Sequence, residues 1–373
     1  MKKVIFIVPM LSGIGGIETS LINILSNINY DEYQVDLCVF ANYIALPERL
    51  PGNVRIIKGS EKLEYSLVPK KILEKKLTTL KYIKMLFIKL VKKVFGLKVI
   101  IKYSLSDFNF EKYDTAVSYA NDAIYGNIFV GGGNEIVDKC ISANKKIGWI
   151  HNEPTRLGLS KEYYLDVYKN FDYIINVSST CKEMFDSIVP ELISKSRVVY
   201  NMFDIDGIKK KSQDSVAPYD SRRFNIVTVS RIENNQKRID RILDACEYML
   251  SKSNIEFLWT IVGDGPDFEK INNEINDRKL SNVKLVGKMA NPYPYIVKAD
   301  VMVQSSDFEA YSMVLQEAVI LNTPIVVTNY PSAHEAVINE ENGYLVDLTY
   351  EAIGDKLLEI IHDAGKLDLL REN

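Results

Sequence analysis

Short runs of apolar, β-branched residues alternate with longer segments of helical periodicity throughout the chain. In the first part of the chain these runs predict strands at 4–8, 35–40, 115–119, 146–150, 173–177 and 197–200. After a polar segment the pattern restarts and predicts strands at 225–229, 257–262, 283–286, 301–304 and 325–328. Because strands that alternate with helices form parallel sheets covered by helices, we expect an α/β protein with two such sheets.

The break in this pattern, at the polar and lysine-rich segment 201–222, predicts a junction between two domains. A chain of 373 residues is long enough for two domains that each have a core. We expect an N-terminal domain at 1–203 and a C-terminal domain at 204–354. Ligands of open parallel sheets bind at the carboxyl ends of the strands, which predicts a site in a cleft between the domains.

Composition excludes several classes of protein. Apolar residues make up 47% and charged residues 25% of the chain, as in ordinary globular proteins. The apolar run 4–8 is too short for a signal peptide, and no apolar segment reaches the roughly 18 residues of a membrane span. Four scattered cysteines, Cys38, Cys140, Cys181 and Cys246, favour neither zinc nor a disulfide framework, so we expect a cytoplasmic protein.

The segment Lys58 to Lys102 differs from the rest of the chain in its charge. It contains thirteen lysines and three glutamates, a local charge of +10 in a chain of net charge −3. Apolar residues at steps of three and four predict a basic amphipathic helix across 73–94, with lysines such as Lys75, Lys81, Lys89, Lys92 and Lys93 on the other side. This helix is either a domain helix with a solvated lysine face or a surface that contacts an anionic membrane or acceptor. Nucleic acid is a weaker alternative, because no nucleic-acid motif accompanies the charge.

Glycines follow several predicted strands. The loop 13–18, GIGGIE, lies between the first strand and a helix, where backbone amides can face a phosphate. It is neither a dinucleotide fingerprint nor a Walker loop, and its alternative role is a tight turn. The turns at 262–266 (VGDGP) and 286–289 (VGKM) also follow strands and are either nucleotide contacts or simple connections.

Charged residues follow two strands of the second half. Arg231 and Lys237 come after the strand 225–229 and offer the positive charge that a departing diphosphate requires, although exposed cations are also common on surfaces. Glu309 and Glu317, with seven residues between them, follow the strand 301–304. We expect Glu309 near the start of a helix and Glu317 about two turns later, so that both face one cleft. Carboxylates at these positions can each accept hydrogen bonds from a pair of hydroxyls, or they are ordinary surface glutamates.

The segment 309–317 resembles the E-x7-E motif of retaining glycosyltransferases of family 4, the glycosyl transferases group 1, which have the GT-B fold. The likeness covers almost the whole chain, because other motifs occur in that family's order. These are the glycine loop, 149–152 (WIHN), 200–204 (YNMFD), 230–238, the GDGP turn and 342–346 (NGYLV). The resemblance implies two Rossmann-like parallel-sheet domains, with the acceptor bound by 1–203 and the nucleotide sugar by 204–354. It also implies transfer of a hexose or N-acetylhexosamine from a nucleotide-diphosphate sugar, with UDP as the expected nucleotide.

The resemblance also implies roles for single residues. Arg231 and Lys237 stabilise the leaving group, Glu309 contacts sugar hydroxyls, Glu317 binds the ribose and His151 meets the far edge of the sugar. His151 has an alternative role as hydrogen-bonded scaffold. The implied catalytic residues are Glu309, Arg231, Lys237 and His151. The implied donor-binding residues are Gly15, Gly16, Gly263, Gly287, Lys288, Met289, Ala310, Tyr311, Ser312, Met313 and Glu317.

Some positions depart from the family pattern. Ala310 and Ser312 stand where glycine or proline is frequent, and the interval from Arg231 to Lys237 is one position longer than in many relatives. In the family the last helix crosses back to the N-terminal domain, and 355–373 is expected to do so here. Asp204-Ile205-Asp206 matches the D-x-D pattern of metal-dependent transferases, but its place in the linker argues against a metal, and no cofactor is expected.

The expected acceptor is a lipid-linked or cell-surface saccharide, because the basic segment is suited to an anionic membrane surface. The expected location is therefore cytoplasmic, on the inner face of the plasma membrane. Transfer to a soluble acceptor and a non-catalytic nucleotide-sugar-binding protein are the alternatives. No nucleic-acid partner is expected.

Overall fold

The computed structural model describes residues 1–13, 15–74, 77–214, 222–363 and 365–372. Contacts between residues divide the chain into two compact units, Met1–Phe203 and Asp204–Asn373. Ile14 of the glycine loop, Lys75 and Lys76 of the basic segment, and 215–221 of the predicted junction lie outside the described residues.

The N-terminal unit is built on a seven-stranded sheet in which every pairing is parallel and the strand order is β3-β2-β1-β4-β7-β8-β9. A short antiparallel hairpin, β5 and β6, lies outside it. The strands are β1 (Lys2–Val8), β2 (Tyr33–Val39), β3 (Arg55–Ile57), β4 (Tyr113–Ser118), β5 (Ala123–Tyr125), β6 (Ile128–Val130), β7 (Ala143–Ile150), β8 (Tyr173–Asn176) and β9 (Ser196–Val198). The helices are α1 (Gly16–Asn27), α2 (Glu61–Leu67), α3 (Lys70–Leu73), α4 (Thr79–Phe95), α5 (Leu97–Ser104), α6 (Gly133–Cys140), α7 (Lys161–Tyr168) and α8 (Ser179–Ile188).

The C-terminal unit has a six-stranded parallel sheet of order β12-β11-β10-β13-β14-β15. The strands are β10 (Phe224–Val229), β11 (Phe257–Val262), β12 (Val283–Gly287), β13 (Val301–Gln304), β14 (Ile325–Thr328) and β15 (Gly343–Val346). The helices are α9 (Ile205–Lys211), α10 (Ile239–Lys252), α11 (Phe268–Asp277), α12 (Tyr293–Lys298), α13 (Met313–Ile320), α14 (Tyr350–His362) and α15 (Gly365–Glu372). Its core surrounds the fully buried Trp259.

The predicted strands are all present, with ends that differ by at most a few residues. The prediction missed β3 and the hairpin β5 and β6, which are only three residues long and carry no clear alternation. It also missed β15, an edge strand that begins at Gly343. Long strands buried on both faces show continuous apolar runs, whereas a three-residue strand is recognised only where apolar residues continue beyond it, as Val199 and Tyr200 do after β9.

The basic segment contains four helices, α2 to α5, rather than one helix across 73–94. The prediction was wrong about the start, because α4 begins at Thr79 and Leu73 belongs to α3. Of the two alternatives, a domain helix with a solvated lysine face does not describe α4. Met85 and Ile88 are its buried residues, whereas the apolar residues Leu80, Ile83, Phe87, Leu90 and Val94 are exposed. Among the described helices, none combines the length and apolarity that crossing a membrane requires.

The last two helices pack on the core of the C-terminal unit, and the expected return of 355–373 to the N-terminal unit stays a prediction. Ile353, Leu357 and Ile360 of α14 belong to the core around Trp259, and so do Leu367 and Leu370 of α15. Their apolar residues are therefore buried against their own unit, and α14 packs on α10.

Candidate active site

The charged residues predicted to be catalytic in the C-terminal unit follow β10 and β13, two neighbouring strands at the centre of the sheet. From β10 the chain continues outward to β11 and β12, and from β13 it continues the other way to β14 and β15. Loops after two such strands diverge and leave a crevice at the carboxyl edge of the sheet, the place where α/β proteins bind ligands. The topology of this unit thus places Lys237 and Glu309 at a switch point.

Glu309 and Lys237 form an ion pair at this switch point. The Lys237 ammonium donates to Oε1 of Glu309, and both side chains are largely buried. Ser306 Oγ donates to the same oxygen at 2.8 Å, and Gln236 Nε2 donates to Oε2 at 3.1 Å. Because charge-assisted hydrogen bonds fix both oxygens of the carboxylate, its orientation is set before any ligand binds.

The two loops that carry this pair are fastened to each other. Ser305 Oγ donates to the carbonyls of Lys237 and Arg238 at 2.8 and 3.0 Å. The buried guanidinium of Arg241 donates to the Ser305 carbonyl at 2.7 Å and to Asp307 at 2.6 Å. This second layer of hydrogen bonds holds the loop after β13 against the loop after β10 and keeps Lys237 beside Glu309.

The spacing of Glu309 and Glu317 led us to expect both residues on one helix. In the structure, Glu309 lies in the loop before the helix that carries Glu317. Helix α13 begins at Met313, with Ser312 as its N-cap, and Ser312 Oγ accepts the Leu315 amide at 3.4 Å. Serine is a preferred N-cap, so the departure from glycine at this position is explained. Apart from Leu315, the first-turn amides of α13, which include Met313, have no acceptor within the helix, and such amides favour an anion nearby.

Glu317 is 8% exposed, in the middle of α13. Tyr293, at the start of α12, donates to its Oε1 at 3.3 Å. Burial raises the pKa of Glu317 to about 7, and the hydrogen bond from Tyr293 opposes this shift. A carboxyl group can accept hydrogen bonds from hydroxyl groups, and the predicted contact of Glu317 with a ribose stays a prediction.

The raised pKa of Glu317 predicts how stability varies with pH. Its pKa is higher in the folded state than in the unfolded chain, so the folded state binds the proton more tightly and loses stability as pH rises from about 4.5 to about 7. Glu317→Gln should remove this loss, on the order of 3 kcal/mol, so the variant gains stability relative to wild type at pH 8. Denaturant unfolding at pH 5 and pH 8 measures the effect. The exposed Glu269→Gln is the control, and equal pH dependence of wild type and Glu317→Gln would contradict the assignment.

Arg231 is not in contact with the ion pair in this structure. Its side chain is 62% exposed and donates to Glu233 at 2.8 Å. Arg231 lies two residues beyond the end of β10, on the same edge of the sheet as Lys237. It is therefore near the switch point, but its predicted contact with a leaving group stays a prediction.

Glycine occurs in the turns after β11 and β12 for different physical reasons. A Cβ on Gly263 would lie 1.7 Å from the Ser230 carbonyl oxygen, so glycine is required by the close approach of two strand ends. Gly287 has a φ of 77° and open space at its Cβ position. Lys288 and Met289 follow it and are exposed. The role of Gly263 is thus structural in the first place, whereas Gly287 to Met289 form an accessible strand end.

In the N-terminal unit, the glycine loop holds a carboxylate of its own. Glu18 accepts the amides of Ser12 and Gly13 at 2.6 and 2.7 Å and the Ser12 hydroxyl at 2.7 Å. Gly15 is the N-cap of α1 and Gly16 is its first residue. The loop after β1 is therefore an anion-binding turn, but two of its amides are occupied by Glu18, which leaves Gly15 and Gly16 as the predicted phosphate contacts.

His151 lies just after β7 and is buried together with aromatic neighbours. Its ring stacks on Trp149 at 6.0 Å and lies 4.6 Å from the ring of Tyr119. Burial lowers its pKa to about 3, so the imidazole is neutral near pH 7. His151 Nε2 and Trp149 Nε1 have no hydrogen-bond partner among the described residues. A neutral imidazole with an available nitrogen can accept a hydroxyl hydrogen bond, and the predicted contact with a sugar stays a prediction.

The order of motifs along the chain agrees with the comparison with known families. The family described as "Glycosyl transferases group 1" matches residues 209–373, which include the ion pair and α13. Residues 209–373 therefore resemble the glycosyl transferases group 1.

A curated relative also resembles part of the chain. The poly(glycerol-phosphate) alpha-glucosyltransferase of Bacillus subtilis is 28% identical over 209 residues, which are 55% of this chain and 30% of that protein. The chain spans less than two thirds of the length of the first curated relatives, with shares of 30%, 54% and 59%.

Solved structures resemble the whole chain in fold. Anabaena Alr3699/HepE in complex with UDP and glucose matches with a TM-score of 0.66 and 18% identity, over 100% of this chain and 93% of that one. TarM of S. aureus matches with a TM-score of 0.71 and 14% identity, over 100% and 94%. Together with the two parallel sheets, these likenesses confirm the expected fold class, two Rossmann-like domains of the GT-B type.

Sequence reasoning missed the residues that orient Glu309 and Glu317. Gln236 and Ser306 bind Glu309, and Tyr293 binds Glu317. Ser306 lies three residues before Glu309 and Gln236 lies next to Lys237, so proximity in sequence is a signal for both. Tyr293 is 24 positions from Glu317, and only the fold brings the two together.

Proposed function

We propose that the protein is a retaining glycosyltransferase of family 4 that transfers a hexose or N-acetylhexosamine from a nucleotide-diphosphate sugar, with UDP as the expected nucleotide. The observation that carries this proposal is the Lys237–Glu309 pair, a cation and a carboxylate in direct contact at the switch point of the sheet. The cation is suited to a diphosphate and the carboxylate to sugar hydroxyls. The UDP complexes of Anabaena Alr3699/HepE support the choice of nucleotide.

In the proposed reaction, the acceptor hydroxyl attacks the anomeric carbon on the face from which the diphosphate leaves. The bond from the anomeric carbon to the diphosphate oxygen breaks, a bond to the acceptor oxygen forms, and the departing phosphate takes the acceptor proton. Negative charge grows on the diphosphate, where Lys237, Arg231 and the first-turn amides of α13 are proposed to stabilise it. Glu309 is proposed to hold the sugar hydroxyls during this step.

We propose that transfer needs no metal ion. Lys237, Arg231 and the amides of α13 supply positive charge or dipoles for the diphosphate. Asp204 of the D-x-D match has a structural role, because its side chain caps α9 by accepting the Gly207 amide at 2.9 Å. The expected consequence is an unchanged transfer rate in the presence of a chelator.

The proposed acceptor is a lipid-linked or cell-surface saccharide, reached at the cytoplasmic face of a membrane. The local charge of +10 between Lys58 and Lys102 supports an anionic surface as partner. The similarity to a poly(glycerol-phosphate) alpha-glucosyltransferase supports an anionic polymer as the class of acceptor.

A screen of nucleotide sugars tests the proposal. The full chain is incubated with each UDP-, GDP- and ADP-linked hexose or N-acetylhexosamine, and enzyme-dependent release of nucleoside diphosphate is measured. We expect release from at least one UDP-sugar, faster when an extract of lipid-linked saccharides is added. Stimulation by soluble sugars alone would favour a soluble acceptor, and binding of UDP without release would favour a non-catalytic protein. Absence of UDP binding by calorimetry would reject the proposal.

A further inference from the structure

Helix α4 exposes a continuous apolar face. Leu80, Phe87 and Leu90 are 78%, 64% and 58% exposed, and Ile83 and Val94 are exposed as well. At 3.6 residues per turn these five side chains fall within an arc of roughly 80°, so they form one stripe along the helix. Large apolar side chains that are exposed singly are ordinary, whereas a contiguous stripe indicates a surface that contacts something apolar.

The opposite face of α4 explains why this stripe points outward. Met85 and Ile88 are buried in the core of the N-terminal unit. Lys89 donates to the Val68 carbonyl at 3.0 Å, and Lys92 donates to the Ser66 carbonyl at 2.9 Å. Burial lowers the pKa of both lysines. Contacts with α2 and the segment after it thus fix the rotation of α4, and the apolar stripe is left on the surface by this packing.

Basic residues border the stripe. Helical geometry places Lys84 roughly 40° to one side of Leu80 and Lys93 roughly 60° beyond Leu90. Both lysines are exposed, and Lys84 shares Glu61 with Lys81. The exposed Lys98 and Lys102 follow on α5. The apolar stripe has basic borders and lies within a segment of charge +10. This arrangement fits the boundary between the acyl chains and the anionic headgroups of a bilayer.

We propose that α4 is an in-plane membrane anchor, which inserts Leu80, Ile83, Phe87, Leu90 and Val94 into the outer part of an anionic bilayer while the bordering lysines bind lipid phosphates. Charge complementarity favours a bilayer over a second copy of the chain, since two copies would bring two segments of charge +10 together. The anchor deepens the proposed function, because it would bring the enzyme to a lipid-linked acceptor. Lipid binding itself is measured without donor or acceptor and can therefore fail or succeed independently of catalysis.

Vesicle sedimentation of the full chain tests the anchor. We expect binding to vesicles of phosphatidylglycerol and phosphatidylcholine, and much weaker binding to phosphatidylcholine alone. The double variant Phe87→Ser/Leu90→Ser should bind the anionic vesicles at least about tenfold more weakly, because two inserted side chains are lost. The matched control is Ile193→Ser/Ile338→Ser, which replaces two apolar residues of similar exposure outside the basic segment and should bind like wild type.

A fluorescent probe tests insertion directly. The two native tryptophans, Trp149 and Trp259, are buried, so Phe87→Trp adds a reporter in an exposed position. We expect its emission to shift to the blue with anionic vesicles and to be quenched by brominated acyl chains. Binding without a shift or quenching would show attachment by charge alone and would overturn the insertion.

Other outcomes identify other partners. Failure of wild type to bind anionic vesicles overturns the proposal, as does equal binding by the double variant. A dimer in analytical ultracentrifugation that Phe87→Ser/Leu90→Ser dissociates, without vesicle binding, would assign the stripe to self-association instead. Release of nucleoside diphosphate to water, measured without lipid, should be unchanged in the double variant. Loss of that release together with a lower melting temperature would indicate misfolding, and Phe87→Trp then remains the test.

Discussion

Replacing Glu309 with Gln is expected to lower kcat/KM for sugar transfer by about 1000-fold, which corresponds to about 4 kcal/mol of transition-state stabilisation. The carboxylate accepts from Lys237, Ser306 and Gln236, and it is 7% exposed. An amide of the same shape has no charge, and its nitrogen would face at least one of these donors. The variant therefore loses the proposed charge-assisted hydrogen bonds to the sugar hydroxyls and leaves the Lys237 ammonium without its counter-charge.

Nucleotide binding separates this effect from misfolding. Because Glu309 is proposed to hold the sugar rather than the nucleotide, Glu309→Gln should still bind UDP within about fivefold of wild type by calorimetry. The control Glu269→Gln changes an exposed glutamate of the same unit and should retain full transfer activity. Transfer above a tenth of the wild-type rate in Glu309→Gln would reject the assignment of this residue.

The two sheets could be predicted from sequence because their central strands are buried on both faces. Such strands are continuous apolar runs, and their limits can be read directly, as at Val301–Gln304. The orientation of α4 could not be read in the same way. A period of 3.6 residues shows that one face is apolar, but the lysines that bind the carbonyls of Val68 and Ser66 decide which face is buried. Those carbonyls come within reach of the two lysines only in the folded unit.

In the candidate site, too, some features could be predicted from the sequence, whereas others depend on contacts that form only in the folded protein. The resemblance pointed to Lys237 and Glu309, which lie on the loops after the neighbouring strands β10 and β13 and contact each other at one edge of the sheet. The helix geometry assigned to Glu309 and Glu317 was wrong, since the loop continues to Ser312 before α13 begins. Glu18 lies at the end of the glycine loop, so an interaction with the loop could be suspected from the sequence. That its carboxylate accepts the Ser12 and Gly13 amides depends on the conformation of the turn.

Replacing Lys237 with Met is expected to lower kcat by about 100-fold or more, with a smaller change in the donor KM. Negative charge on the diphosphate grows only as the bond to the sugar breaks, so a cation that opposes it stabilises the transition state more than the bound donor. Methionine keeps most of the length of the side chain and removes the charge. Steady-state release of nucleoside diphosphate, measured over a range of donor concentrations, separates kcat from KM.

The ion pair makes the combination of both substitutions informative. Lys237 binds Glu309 directly, so the double variant Glu309→Gln/Lys237→Met should be impaired far less than the product of the two single effects. The control Lys298→Met removes an exposed lysine at the end of α12 and should leave kcat unchanged. Effects of the two single substitutions that multiply fully would show that lysine and glutamate act independently. In that case the contact between them would only hold the loops together. Stabilisation of the leaving group would then depend on Arg231, and Arg231→Met should lower kcat more than Lys237→Met does.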